Sequence, residues 1–282
     1  MKTYEVQKPA ALEINTWGEA FHNTMLNDTQ RMNAFEDAIK EVVTPDSVVV
    51  DLGTGTGILA KWALEAGAAR VYGIEVNDSI LDIARSNLKE FGNRFIPMLG
   101  NSLDIKLPEK VDIIISETIG NFADNENCVV YLKDAKERFL KVGGVMIPSA
   151  LIQKCVPVHV PQVQLEISKM EPLGYFETVI PVSDYVADPV VVNTFEFNQD
   201  ESVEYQKELS FHIRGSASEI TGLKGWFVAK LSDGVTLDTE TVSEDSSWNH
   251  FYIPLSSENI QGQSDVKILI KKDSQDYTAV LK

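Results

Sequence analysis

The run VVVDLGTGTGILA, residues 48–60, constrains the fold more than any other part of the chain. Four apolar residues surrounding Asp51 read as a strand covered on both faces, which is the pattern of a strand inside a parallel sheet. Gly53, Gly55 and Gly57 then alternate with Thr54 and Thr56 before an apolar stretch of helical character. Glycines at such a junction allow a tight turn and let a ligand approach the backbone, while the helix N-terminus favours polar or anionic groups. Glu75, closing the next strand in YGIEV, stands about where a ribose-binding acid belongs, roughly 20 residues on. A nucleoside cofactor suits that pair, although dinucleotide enzymes share the geometry and a glycine turn can be purely structural.

The surrounding pattern agrees with a parallel sheet. SVVVDL (47–52), VYGIEV (71–76), FIPMLG (95–100) and VDIIIS (111–116) alternate with the helical stretches GILAKWALEAGA, DSILDIARSNLKEFG and VVYLKDAKERFL. Strand and helix in alternation mean βαβ units. Ahead of the first strand, Met25, Leu26, Met32, Phe35, Ile39 and Val42 fall at mostly helical spacings, giving one amphipathic helix or two short ones. After Pro148 the texture changes to short segments rich in β-branched and aromatic residues, such as GWFVAKLS, HFYIPLS and DVKILIKKD, separated by polar and glycine clusters. The expected class is α/β, with an N-terminal unit at 1–148 and an antiparallel β-barrel or sandwich at 149–282. A chain of 282 residues with 44% hydrophobic and 24% charged residues has the composition of a folded protein and room for two cores.

Ligands of open α/β sheets bind beyond the carboxyl ends of the strands. The loop SETIGNFADNEN, residues 116–127, leaves the oily strand VDIII at that end and carries Glu117 and Glu126. Two carboxylates can accept the forked N–H donors of a guanidinium, and that group loses its proton only above pH about 12. Aligning one nitrogen with an activated methyl and drawing electron density onto it would supply most of the catalysis. The alternative is that Glu126 caps or precedes the helix at 127–140 and only Glu117 faces the site.

The formal charge of −17 argues against nucleic acid and favours cationic partners. The start of the chain has no apolar core and no cleavage site of the signal-peptide type, and no run reaches roughly 18 apolar residues, so the expectation is cytoplasmic with no membrane contact. Cys128 and Cys155 lack the spacing of a disulfide framework or a zinc site, and no metal ligand set is expected.

Several segments together resemble a known family. Asp51 with the D-x-G-x-G-x-G spacing is similar to motif I of class I methyltransferases, which bind S-adenosylmethionine. DIIISETIGNFADNENCVV resembles the double-glutamate segment of protein arginine methyltransferases, with both glutamates in register at Glu117 and Glu126. HNTMLNDTQRMNAF is similar to the family's H-x-x-M-L-x-D-x-x-R segment, aligning His22, Met25, Leu26, Asp28 and Arg31, and LKVGGVMIPSA also fits. The match is close over roughly residues 17–155 and loose beyond. It implies a Rossmann-like class I methyltransferase domain with a mainly parallel sheet, followed by an antiparallel β-barrel. It implies further that Arg31 binds the methionine carboxylate of the donor and Glu75 the ribose hydroxyls. The loop Gly53, Thr54, Gly55 and Gly57, together with Asp51, His22, Met25, Ser102 and Glu117, would complete the cofactor site, and Glu117 with Glu126 would hold the substrate guanidinium.

The departures from the pattern are specific. Thr118 and Ile119 replace an aromatic residue and a methionine between the glutamates, and Leu103 stands where a glutamate for the adenine amine is common, leaving Ser102 or a backbone group to serve. The barrel motif Thr-His-Trp survives as Ser246, Ser247 and Trp248, so its histidine is missing and Asp28 is expected to stand alone. His250 is out of register and reads as structural. Only Trp17 and Phe21 remain of the aromatic segment that closes over the donor, and the helical dimerisation arm is shortened to QVQLEISKMEPLGYFETVIPVSDYV, which still allows a homodimer. The expected activity is S-adenosylmethionine-dependent N-methyl transfer to a guanidinium or related cationic nitrogen of a protein or small molecule. The alternatives are a small-molecule O- or C-methyltransferase and a non-catalytic donor-binding module.

Overall fold

The computed structural model describes residues 4–9, 25–198, 200–214, 219–259 and 263–282, with the side chains of 257–259 not described. Val6–Gln7 forms β1, and helix α1 runs over Thr29–Val42. Asp28 caps α1, its Oδ1 accepting the Arg31 N–H at 3.0 Å, and Phe35, Ala38 and Ile39 recur on one buried face as the helical spacing predicts. Five strands follow with helices between them: β2 (Val48–Leu52), α2 (Ile58–Glu65), β3 (Arg70–Glu75), α3 (Asp78–Asn87), β4 (Phe95–Leu99), β5 (Val111–Ser116), α4 (Cys128–Phe139) and β6 (Leu140–Ile147). All four strand pairings are parallel, in the order β4, β3, β2, β5, β6. β2 is buried throughout because helices and the second unit leave neither face open.

From Ala150 the chain is antiparallel. β7 (Ala150–Val158), the short helix α5 (Pro161–Ile167), β8 (Phe176–Thr178) and β9 (Val190–Phe195) are followed by β10 (Tyr205–His212), β11 (Glu219–Lys230), β12 (Thr236–Asp238), β13 (His250–Asn259), β14 (Asp265–Asp273) and β15 (Asp276–Leu281). Seven strands form a sheet in the order β1, β8, β13, β11, β7, β9, with β12 beside β11, and β10, β14 and β15 form a second sheet. Among the described residues these pairings leave two open sheets rather than a closed barrel. The two sheets share a core of Phe211, Phe251, Ile253, Val266, Ile268, Ile270 and Tyr277. That is the sandwich form of the expected antiparallel domain.

Two features of the second unit bear on the site. The segment corresponding to the dimerisation arm holds the seven-residue α5 and a 3-10 turn at Val182–Asp184, and its return strand β8 pairs with β13 on one side and β1 on the other. β1 comes from the chain's first residues, so the start of the chain is woven into the antiparallel sheet rather than the parallel one. Among the described residues no helix is long and apolar enough to cross a membrane.

Candidate active site

The register of the parallel sheet sets Leu52 beside Ile74 and Ser116, so the loops leaving β2, β3 and β5 open on one edge. The first of these is the glycine loop. Gly53, Gly55 and Gly57 have φ of 70°, 54° and 91°, a region that L side chains rarely adopt. A Cβ on Gly53 would lie 2.9 Å from Thr118 Cγ2, so the loop also passes close to the one that carries the two glutamates.

Asp51 braces this loop from beneath. One carboxylate oxygen accepts the Thr54 hydroxyl at 2.6 Å and the Ala60 N–H at 3.1 Å. Its other oxygen, Oδ1, is buried with no protein donor. Burial raises its pKa to about 7; the two hydrogen bonds oppose that and nearby Glu75 adds to it. Glu75 closes β3 with Oε2 accepting the Gly55 N–H at 3.1 Å and Oε1 accepting those of Val76 and Asn77 at 2.9 and 3.0 Å. Its carboxylate is thereby fixed where β3 ends and the glycine loop turns, with lone pairs left over for further donors.

On the second side of the edge, Glu117 and Arg31 meet as a buried ion pair. The Arg31 guanidinium also donates from Nη1 to Ser247 Oγ at 2.9 Å and lies over the Trp248 ring, 4.8 Å from its centre. Nε is buried without a protein acceptor. Burial lowers the Arg31 pKa to about 10, against the raising influence of Asp28 and Glu126. Glu117 is steadied from its own loop by the Ile119 N–H, 3.3 Å from Oε1.

Asp28 does not stand alone. Its Oδ2 accepts the Ser247 N–H at 2.9 Å and the hydroxyls of Ser246 and Ser247 at 3.2 Å each, in addition to its capping bond. Two serines and a backbone amide therefore satisfy the acid that a histidine was expected to partner. His250, in β13, is buried, its Nδ1 accepting the Ile180 N–H at 2.8 Å. Burial, followed by the charge of Lys224, pulls its pKa down to about 3, so the ring stays neutral and structural.

Glu126 is not the cap of α4. Asn127 holds the N-cap position without a side-chain bond, and the first-turn N–H of Val129 goes to Asp124 Oδ1 at 2.8 Å. Glu126 instead lies within electrostatic reach of Arg31 and of a residue that sequence reasoning passed over, Glu177 of β8. Burial and then Glu177 raise the Glu126 pKa to about 7, with Arg31 pulling the other way. Burial raises Glu177 as well, while hydrogen bonds from Asn121 and Gln7 lower it.

The loop between the two glutamates is held from the antiparallel side. The Trp248 indole N–H donates to Ile119 O at 2.9 Å and the Asn249 N–H to Asn121 Oδ1 at 2.8 Å. The Gln153 amide donates to Phe122 O at 2.7 Å and to the Tyr277 hydroxyl at 3.0 Å. Asp124 Oδ2 takes a 2.8 Å ion pair from Lys272 of β14, both side chains having no exposed surface. Sequence reasoning missed Lys272 too, yet the alternation Val266, Ile268, Ile270, Lys272 in DVKILIKKD places it on the inward face.

Of the remaining expected site residues, Met25 is half-buried beside the start of α1. Ser102 is half-buried and its carbonyl is taken by the Arg138 guanidinium at 2.5 Å, while Leu103 is exposed. His22, Trp17 and Phe21 lie outside the described residues.

Residues 29–163 match the protein family described as ribosomal protein L11 methyltransferase (PrmA). The chain is 28% identical over 258 residues to the arginine N(omega)-methyltransferase of Streptomyces achromogenes subsp. streptozoticus, covering 83% of this chain and 71% of that protein. It is 39% identical over 139 residues to protein arginine N-methyltransferase PRMT10 of Arabidopsis thaliana, a stretch of 48% of this chain and 36% of the plant enzyme. The solved Trypanosoma brucei PRMT1 enzyme-prozyme heterotetrameric complex with AdoHcy superposes with a TM-score of 0.82, at 22% identity, over 92% of this chain and 91% of that one.

Proposed function

We propose that this chain, a divergent protein arginine methyltransferase-like class I methyltransferase dependent on S-adenosylmethionine, methylates a guanidinium nitrogen gripped by Glu117 and Glu126. What supports the reading is the buried ion pair of Arg31 with Glu117, the electrostatic reach of the same guanidinium to Glu126, and the close approach of the glycine loop to Thr118 beside Glu117. The acceptor is a cationic guanidine of a protein or a small molecule.

The residues present fit the donor. The Arg31 Nε–H is a buried donor with no protein partner, as an anionic carboxylate requires, and Gly53 leaves room that a Cβ would fill. Glu75 presents a fixed carboxylate to a ribose diol, Asp51 holds the turn through Thr54 and Ala60, and Gly55 and Gly57 keep its backbone close. His22, Met25 and Ser102 belong to the same proposed surround. S-adenosylmethionine supplies an electrophilic methyl on a sulfonium.

What the chain adds is alignment and charge. Arg31 holds one side of Glu117, and the Ile119 N–H holds another, so that carboxylate has one orientation to offer. A guanidinium bound across Glu117 and Glu126 is fixed in plane by charge-assisted hydrogen bonds, with one nitrogen directed at the donor. The carboxylates concentrate electron density on that nitrogen as the N–C bond forms. The proton released from the methylated nitrogen has a half-buried acceptor in Glu126, whose pKa of about 7 suits transfer at neutral pH.

The test is incubation with methyl-labelled S-adenosylmethionine and a set of guanidines, comparing the wild type with Glu117→Gln and Glu126→Gln. Both variants are expected to lose turnover by orders of magnitude while donor affinity, read by calorimetry, changes far less for Glu126→Gln than turnover does. Near-normal methylation by both variants would sink the guanidinium clamp. Label on a neutral oxygen or carbon acceptor would favour the O- or C-methyl alternative.

A further inference from the structure

The acidic cluster does not end with the two loop glutamates. β8 sets Glu177 in register with Phe251 on one neighbour and Gln7 on the other. Phe251 stacks on Phe122 of the glutamate loop, with ring centres 4.9 Å apart, and on Tyr175 at 4.0 Å. The sheet face that carries Glu177 is thus the one packed against that loop. Glu177 is 5% exposed, and its partners are amides: Gln7 Nε2 donates to Oε2 at 3.0 Å and Asn121 donates from the loop itself. Amides orient a carboxylate without neutralising it.

The local charge does not balance. Arg31 is the cation in reach of Glu126, and its guanidinium is committed to Glu117 and Ser247. Among the described residues Glu177 has no cationic partner. A single guanidinium answers Glu117 and Glu126 and leaves Glu177 without a cation, so burial holds its pKa up until a positive charge is brought to it. Resting on the reading above, we infer that Glu177 is a specificity-determining residue that receives an ammonium group of the acceptor, which is therefore a small dicationic guanidine. An ammonium on the same small molecule reaches Glu177 without a second side chain folding into the pocket.

Three probes separate the outcomes: 4-aminobutylguanidine, n-butylguanidine, and an arginine peptide with blocked termini. The wild type is expected to favour aminobutylguanidine over butylguanidine by about tenfold or more in kcat/KM, the value of one charge-assisted contact. Glu177→Gln keeps an amide acceptor for Gln7 and Asn121 and should bring that ratio close to one, mainly through KM for the dication. Glu177→Asp keeps the charge and should retain a preference, which separates recognition from a folding defect. An equal ratio in the wild type, or a preference unchanged by Glu177→Gln, overturns the inference while leaving the guanidine reading intact. Preference for the blocked peptide overturns it in favour of a protein acceptor. No methylation of any of the three overturns the guanidine reading itself, and the inference with it.

Discussion

Removing Lys272 should damage the acceptor loop from the far end of the chain. Asp124 lies between the two glutamates and uses one carboxylate oxygen to hold the first turn of α4 and the other to pair with Lys272 at 2.8 Å. Neither side chain has exposed surface. Replacing Lys272 by Met keeps the length and leaves Asp124 as an uncompensated buried charge. Breaking such a pair from one side costs about 3–5 kcal/mol. For a chain of this size each kcal/mol lowers Tm by roughly 2–4 °C, so the loss is roughly 6 to 20 °C. Burial already raises the Asp124 pKa, and without Lys272 it rises further. A folded-state pKa above the unfolded value means that the folded state binds more protons, so stability falls as pH rises through that window. Lys272→Met should therefore regain stability on acidification, as Asp124 takes up a proton. The double variant Asp124→Asn, Lys272→Met carries no buried charge and keeps an oxygen for the Val129 N–H, so it should recover most of the loss without the extra pH dependence. Thermal melts across pH, with KM for the acceptor against Kd for the donor, measure all of this. A single-variant cost under about 1 kcal/mol, or a double variant no better than the single, would refute the reasoning.

Three further perturbations act at the site. Because burial and Glu177 raise Glu126 to about 7, and the ionised form grips a cation, kcat/KM should fall on the acid side of a limb near 7; Glu177→Gln removes the repulsion and should move that limb to lower pH. Gly53→Ala puts a Cβ 2.9 Å from Thr118 Cγ2 at a φ of 70°, and donor Kd measured by calorimetry should weaken by about 1–3 kcal/mol, the usual size of such backbone strain. Trp248→Phe keeps an aromatic face for Arg31 but removes the N–H donated to Ile119 O, and should cost about 1–3 kcal/mol in denaturant unfolding because that buried carbonyl loses its donor.

The parallel half was legible because each level agreed with the next. An apolar run bounded by glycines can hardly be anything but a covered strand, and Leu52, Ile74 and Ser116 fall side by side as the βαβ reading requires. The antiparallel half was legible in kind but not in closure, since hydrogen bonding between distant strands leaves no mark on local pattern. Glu177 escaped notice because its segment reads as a shortened arm; only the pairing of β8 with β13 turns it toward the glutamate loop. Lys272 was within reach of the same alternation that predicted its strand, but a lysine on an apolar face is ordinarily discounted. The expectation for Asp28 failed for a third reason: a missing histidine was equated with a missing partner, whereas a backbone N–H and two hydroxyls can fill the same role.

That last substitution bears on how the reaction disposes of its proton. Serine hydroxyls bonded to Asp28 cannot take up a proton near neutral pH, so the Asp28 cluster serves to hold Ser247, and through it Arg31, rather than to relay charge. Two carboxyls are raised into that range, Asp51 beneath the glycine loop and Glu126 in the acceptor loop of the proposed reading, and Glu177 helps to hold Glu126 there. On the proposed reading, the proton leaves through the acid that grips the acceptor, and the acceptor must bring enough positive charge to let that acid ionise.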